Sequence, residues 1–327
     1  MSRQPALNAS QQIQTPNLEA ALQRAVRGGP DSLDAHLRVL ERDFIVQGTQ
    51  TTLHAYFLPL DGNGRVRFKP LADFLCDRIV DYAIPRRTIE SALRQQAETG
   101  STAPIVQLQR RARSLFTTIA NTGEGGELLL FAMAEAVFGL AQILCKMSLK
   151  TSSEVHYHGA DGVYAEARDD GGLNIYWAES KIYDSATDAI RECLKSLSPF
   201  LTQPDGADAM RQGDILLVNE FANFTDERLV QGLRLALDPN QPTSLTTKHC
   251  GFALIAFDCE GYTCDAEPTL QQIERALQGE LPKWKRSVLN RLTHENLSRF
   301  DVHFICVPIP SAEKFREYFL QQLGAGA

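Results

Sequence analysis

The chain has 327 residues, enough for one large domain or two smaller ones with a sizeable core. Its hydrophobic and charged fractions, 43% and 22%, are those of an ordinary globular protein. A net charge of −7 argues against non-specific coating of DNA, so any nucleic-acid contact must come from a local basic surface. Seven scattered cysteines, an odd number, point to reduced thiols in a cytoplasm and not to a disulfide framework.

Residues 1–17 are polar and glutamine-rich, so a secretory signal is not expected, and 1–16 should be disordered. Asn17 can cap a short helix through Val26, ended by Gly28-Gly29-Pro30. Leu33, Leu37, Leu40 and Phe44 share one face of a second predicted helix. Residues 51–60 read as a strand, with Asp61-Gly62-Asn63-Gly64 turning a hairpin that returns through Val66 and Phe68. Helices are predicted after Pro70, over 86–97 and over 104–119. The last carries Arg110, Arg111 and Arg113, either a solvated face or a phosphate contact.

Leu128 to Cys145 is an apolar run just long enough to span a bilayer. Glu135 and Gln142 inside it, and flanks without an aromatic belt, favour a buried central helix ending near Lys146, with no membrane span. Thr122-Gly123-Glu124-Gly125-Gly126 before it lacks the Lys-Ser/Thr of a P-loop and reads as a flexible lead-in. No Gly-x-x-x-x-Gly-Lys-Ser/Thr occurs anywhere, so the chain should not translocate on DNA by itself.

Strands over 159–167 and 173–182 flank the turn Arg168-Asp169-Asp170-Gly171-Gly172. A helix over 185–198, a strand over 214–219 and a helix over 226–237 follow. A strand over 251–258, a polar helix over 269–277, a strand over 302–307 and a helix over 311–323 complete the chain. Hairpin, crossover helix and further apolar strands predict an α/β (α+β) fold: a mixed central sheet of about five strands flanked by helices, with right-handed crossovers. Residues 1–120 form an N-terminal helical and hairpin extension suited to a partner, and 121–327 form the core that carries the chemistry.

Glu179-Ser180-Lys181 is a weak motif alone, since 9 lysines and 40 acids supply about one [DE]-x-Lys by chance. Its context carries the information. The motif ends an apolar strand containing Leu173, Ile175, Tyr176 and Trp177, where charges are rare unless used. Residues two apart on a strand share a face, so Glu179 and Lys181 point together. Asp161, between glycines across the hairpin, can reach the same end of the sheet, and Glu127 can close the site from the preceding helix. Magnesium prefers one or two carboxylates plus waters and substrate phosphate, which suits Asp161 and Glu179 as ligands; manganese would serve as well. Lys181 then orients the attacking water and offsets charge on the phosphate, with Glu127 holding a water or a second metal. The competing structural account is a partly buried Lys–Glu pair capping a sheet edge.

Lys146 and Lys150 suit either a helix C-terminus or DNA phosphate. Lys283, Lys285 and Arg286 around Trp284, with Arg291, form a basic patch that is either a DNA contact or a solvated helix start. His156 and His158 could ligate a metal, but no third nitrogen ligand is evident. His249, Cys250, Cys259 and Cys264 lack zinc-finger spacing.

Glu127 with its apolar helix, Lys146-Met147-Ser148-Leu149-Lys150-Thr151, Gly159-Ala160-Asp161-Gly162 and Glu179-Ser180-Lys181-Ile182-Tyr183 together resemble the nuclease subunit of the Hachiman anti-phage defence system. The resemblance is strongest over 123–200 and looser from 50 to the C-terminus. It implies a restriction-endonuclease-like PD-(D/E)xK core, magnesium dependence and a superfamily 2 helicase as partner, as a heterodimer that degrades DNA when infection or damage is sensed. The family's acidic and lysine positions fall on Asp161, Glu179 and Lys181, with Glu127 a looser match. The proline of the family motif is replaced by Ala160. The sequence therefore reads as a metal-dependent deoxyribonuclease beside a helicase. The alternatives are a non-catalytic DNA-binding or regulatory subunit on the same fold, and a zinc hydrolase using His156 and His158.

Overall fold

The computed structural model describes residues 16–27, 31–116, 123–149, 159–204, 209–262 and 268–324. Helices α1 (Pro16–Ala25) and α2 (Asp31–Asp34) precede strands β1 (Arg38–Ile45) and β2 (Thr51–Phe57). Helices α3 (Phe68–Asp77), α4 (Ile79–Ala83), α5 (Arg86–Thr99), α6 (Ala103–Ser114) and α7 (Glu124–Ala136) follow, then β3 (Ala141–Leu144) and a 3-10 turn, Lys146–Leu149. The second half runs β4 (Gly162–Ala167), β5 (Leu173–Tyr183), α8 (Ala186–Thr202), α9 (Met210–Phe221), α10 (Glu227–Leu237), β6 (Thr247–Asp258), α11 (Leu270–His294), β7 (Val302–Ile309) and α12 (Ala312–Leu323).

Among the described residues seven strands, not five, form one mixed sheet in the order β1-β2-β7-β6-β5-β4-β3. β2, β7, β6 and β5 are parallel neighbours, while β1 and β4 pair antiparallel to β2 and β5. The α/β (α+β) class stands, and both extra strands come from segments whose apolar pattern imitates a helix. β2 pairs with β7 along Thr51–Ala55, so the N-terminal hairpin continues the sheet of the C-terminal half. α8 packs on β5 and β6 and α11 on α8; α7, with α3 and α12 against it, covers the opposite face. No helix among the described residues is long and apolar enough to cross a membrane.

The predicted helix through Leu40 and Phe44 is instead strand β1. Register shifts on either side of Glu41 and a positive φ of 57° at Asp43 break the two-residue alternation, leaving a spacing that imitates a helix. The hairpin turn lies at 46–50, where Val46 N–H donates to the Thr51 carbonyl at 2.9 Å. Asp61–Gly64 closes only a small loop with one bridge, Leu60 to Val66, and Phe68 opens α3, with Pro70 in its first turn.

The apolar run beginning at Leu128 is two elements. Gly139 takes φ 65°, and Leu140 N–H returns to the Ala134 carbonyl at 2.9 Å, ending the helix so that 141–144 enters the sheet. Residues 214–219 belong to helix α9, with Asp214, Ile215 and Val218 on its buried side; a short apolar run does not distinguish strand from helix. α11 continues past the predicted 269–277 to His294. Gly279 and Pro282 suggest a break, but Ile273, Leu277, Leu281, Trp284, Val288 and Leu292 keep one buried stripe through it.

Candidate active site

β4 stops at Gly162, opposite Ala178, while β5 runs on to Tyr183. The ladder acceptor missing beyond Gly162 is replaced by a side chain. Asp161 donates its N–H to the Ala178 carbonyl at 2.8 Å, and its Oδ2 accepts from Ser180 N–H at 2.8 Å and from Ser180 Oγ at 2.9 Å. Its Oδ1 has no hydrogen bond to a described residue. The middle residue of Glu-x-Lys is thus what orients the aspartate, a role that sequence spacing does not signal.

Ala160, the residue before Asp161, is clamped at both ends. Its N–H donates to Asp214 Oδ2 at 3.0 Å, and its carbonyl accepts from Lys146 Nζ, which also pairs with Asp214 Oδ1 at 2.6 Å. A proline at 160 would have no N–H to donate to Asp214. The departure from the PD motif therefore matches the local hydrogen bonding. The role of Asp214 is invisible in the sequence, because 214–219 reads as a strand.

Glu179 and Lys181 share the α8 face of the sheet, two residues apart as predicted. Lys181 Nζ donates to Glu179 Oε1, and the nearby Ser196 hydroxyl of α8 also favours the charged carboxylate. Glu179 is 5% exposed, and the Lys181 side chain 25%. Burial, and then the Asp161 carboxylate, push Glu179 well above the usual range against the pull of Lys181. Burial works to lower Lys181, but Glu179 and Asp161 outweigh it and hold the ammonium charged. One lysine therefore does not balance two adjacent carboxyl groups.

Glu127 comes from the opposite face, on the first turn of α7. Gly126 lets that helix approach closely: a Cβ there would lie 3.1 Å from Ile182 Cγ1 and 3.3 Å from Ser180 Oγ. Residues 124–126 are a packed helix start and not a flexible lead-in. Tyr82 of α4, buried against Phe116 and Phe131, donates to Glu127 Oε2 at 2.6 Å. Glu127, Asp161, Ser180, Lys181, Tyr183 and Arg316 line one open cleft of about 460 Å³ beyond the carboxyl end of β5.

Among the described residues no three His, Cys, Asp or Glu side chains are grouped to hold an ion. Asp161 and Glu179 offer hard oxygen donors, and a cation beside them would offset the burial that raises Glu179. That fits a cation completing its shell with water and phosphate, as magnesium does, and not a full protein cage.

The basic candidates separate. Lys146 is 12% exposed and positions Ala160. Lys283, 70% exposed, pairs with Glu280 on the same helix. Lys285 pairs with Glu41 of β1 at 2.7 Å and lies 3.4 Å from the Phe44 ring centroid. Arg286 is exposed, while Trp284 is core, edge-on to Phe257. These residues lie inside α11, not at a helix start. Arg110, Arg111 and Arg113 are exposed on α6. Lys150, His156 and His158 lie outside the described residues, as do Gly28-Gly29-Pro30, Cys264 and 1–15.

An open mixed sheet covered on both faces, with carboxylates and a lysine in a cleft at the ends of its parallel strands, defines an α/β protein with an acid–lysine site at the carboxyl end of its sheet. A family model described as HamA matches residues 34–323, and the chain belongs to the HamA family, subunits of the Hachiman anti-phage defence system. The match begins ahead of β1, so it includes the N-terminal hairpin. Comparisons with curated proteins and with solved structures return no match.

Proposed function

We propose that this chain is the DNA-cleaving subunit of its defence system, a magnesium-dependent deoxyribonuclease of PD-(D/E)xK type that works beside a helicase. The observation that carries the reading is that Glu127, Asp161 and Lys181 line one cleft, with Glu179 bonded to Lys181. Asp161, tethered through Oδ2, and Glu179 would hold the magnesium. When bound, magnesium supplies charge neutralisation and Lewis acidity toward a phosphodiester. Lys181 donates a hydrogen bond to the phosphate as negative charge grows on it, from a half-buried position where that charge is worth more than in water. Glu127, fixed by the Tyr82 hydroxyl, orients the attacking water. Ser180, Lys146 and Asp214 hold Asp161 in place.

The second reading is a non-catalytic regulatory subunit, favoured by the absence of a three-ligand cluster among the described residues. Partner docking in 1–120 is supported by apolar side chains exposed there: Val39 and Ile45 on the sheet's edge strand, Leu93 on α5 and Val106 on α6. Co-purification with the helicase of the same defence system should give a one-to-one assembly whose DNA cutting depends on ATP hydrolysis. A chain that binds no helicase and cuts plasmid rapidly at physiological salt would leave a free-standing nuclease. An assembly that never cuts would select the regulatory reading.

A further inference from the structure

Two of the cations around the cleft already serve a carboxylate. Lys181 bonds Glu179, and Lys146 pairs with Asp214. Arg316 does not: among the described residues no Asp or Glu oxygen lies within ion-pairing distance of it. It stands on α12, lines the same cleft as Glu127, Asp161 and Lys181, and is partly exposed. One of its terminal nitrogens donates to the Ile182 carbonyl at 2.5 Å. That bond anchors the guanidinium beside the last residues of β5, just past Lys181, and its other donors have no hydrogen bond to a described residue. A planar guanidinium fixed at one edge presents its remaining N–H groups in the geometry that phosphate oxygens match. The carboxylates of the cleft cannot take an anion, and Lys181, bonded to Glu179, faces the phosphate that is cut and leaves the neighbouring one to another cation.

We infer that Arg316 is a phosphate-binding residue of this cleft, taking the phosphodiester next to the one that is cut. The inference rests on the nuclease reading for its substrate. The anchor makes it more than a surface charge. The Ile182 carbonyl belongs to the strand that carries Glu179 and Lys181, so a strand of DNA held by Arg316 is registered against those residues.

Binding and cleavage test it separately. Anisotropy of a fluorescein-labelled DNA oligonucleotide is measured with the full chain in calcium, in place of magnesium, so that no cutting accompanies binding. Arg316→Ala should bind about tenfold more weakly. Its slope of log affinity against log salt should be shallower by about 0.7 for a single strand and about 0.9 for a duplex, the increment for one neutralised phosphate. Arg316→Lys should keep the slope, because the charge remains, and recover only part of the affinity, because the fork is gone. In the helicase assembly with magnesium and ATP, Arg316→Ala should raise KM more than it lowers kcat. Wild-type affinity and slope in Arg316→Ala would overturn the inference, as would a wild-type chain that binds no DNA. If Lys181→Ala still cuts at the wild-type rate, the nuclease reading falls whatever the Arg316 variants bind.

Discussion

Lys181→Ala is expected to abolish magnesium-dependent DNA cleavage, a fall of at least about 10³-fold, while changing folding stability by no more than about 1–2 kcal/mol. The loss of activity follows from removing the cation that faces the phosphate. Truncating one member of a buried pair ordinarily costs more, because the partner is left charged in a poor solvent. Here burial and Asp161 already raise Glu179, so the acid takes up a proton when Lys181 is gone. Cleavage rates of the helicase assembly and urea midpoints of the isolated chain check the two halves. Wild-type cutting by the variant would remove Lys181 from the site. A collapse in stability would instead favour the account in which Glu179 and Lys181 only cap a sheet edge.

The largest effect on folding is expected at Arg27. Its side chain ties the end of α1 to three other elements: Nε bonds Glu135 Oε2 of α7 at 3.3 Å, a terminal nitrogen bonds Gln142 of β3 at 3.0 Å, and another reaches the Asp81 carbonyl of α4. The guanidinium also lies over the Phe131 ring. Glu135 is 1% exposed, and burial raises its pKa against the pull of Arg27. Among the described residues, Arg27→Ala leaves that carboxyl with only backbone N–H donors, from residue 27 and from Gln142. It should cost about 3–5 kcal/mol. The deficit has a sign in pH. An acid raised above its unfolded value favours folding below the unfolded pKa and loses that advantage as pH rises, so the variant should be weakest at alkaline pH. Adding Glu135→Gln should recover part of the loss, since a neutral amide needs no counter-charge. A cost under 1 kcal/mol that does not change with pH would show that α1 is held by its apolar contacts alone.

How much was legible depended on whether local pattern and tertiary role agreed. β5 could be read because its apolar run is broken by charges only at its functional end. The turn at 168–172 was legible from its own residues, and Ser311 caps α12 as its position suggests. β1 was not legible, because two register shifts disguise its period. β3 was hidden behind α7, since apolar residues on both sides of Gly139 form one continuous run. Pairing of β2 with β7 joins residues some 250 positions apart, and nothing in either strand signals it. Within the site, the two-residue spacing and the hairpin placed Asp161, Glu179 and Lys181 at one end of the sheet. The supports were not legible: Tyr82, Asp214 and Arg316 come from elements whose packing only the fold defines, and the role of Ser180 depends on where the Asp161 carboxylate lies.

The most direct test of the central claim is cleavage of DNA by the purified helicase assembly, with the wild-type chain and with Asp161→Asn, in magnesium, in manganese, in calcium, in zinc and after chelation. The account predicts cutting by the wild type in magnesium or manganese only, none after chelation, and none by Asp161→Asn in any metal, while both chains bind the partner equally. Cutting that survives chelation, that requires zinc, or that persists in Asp161→Asn would contradict it.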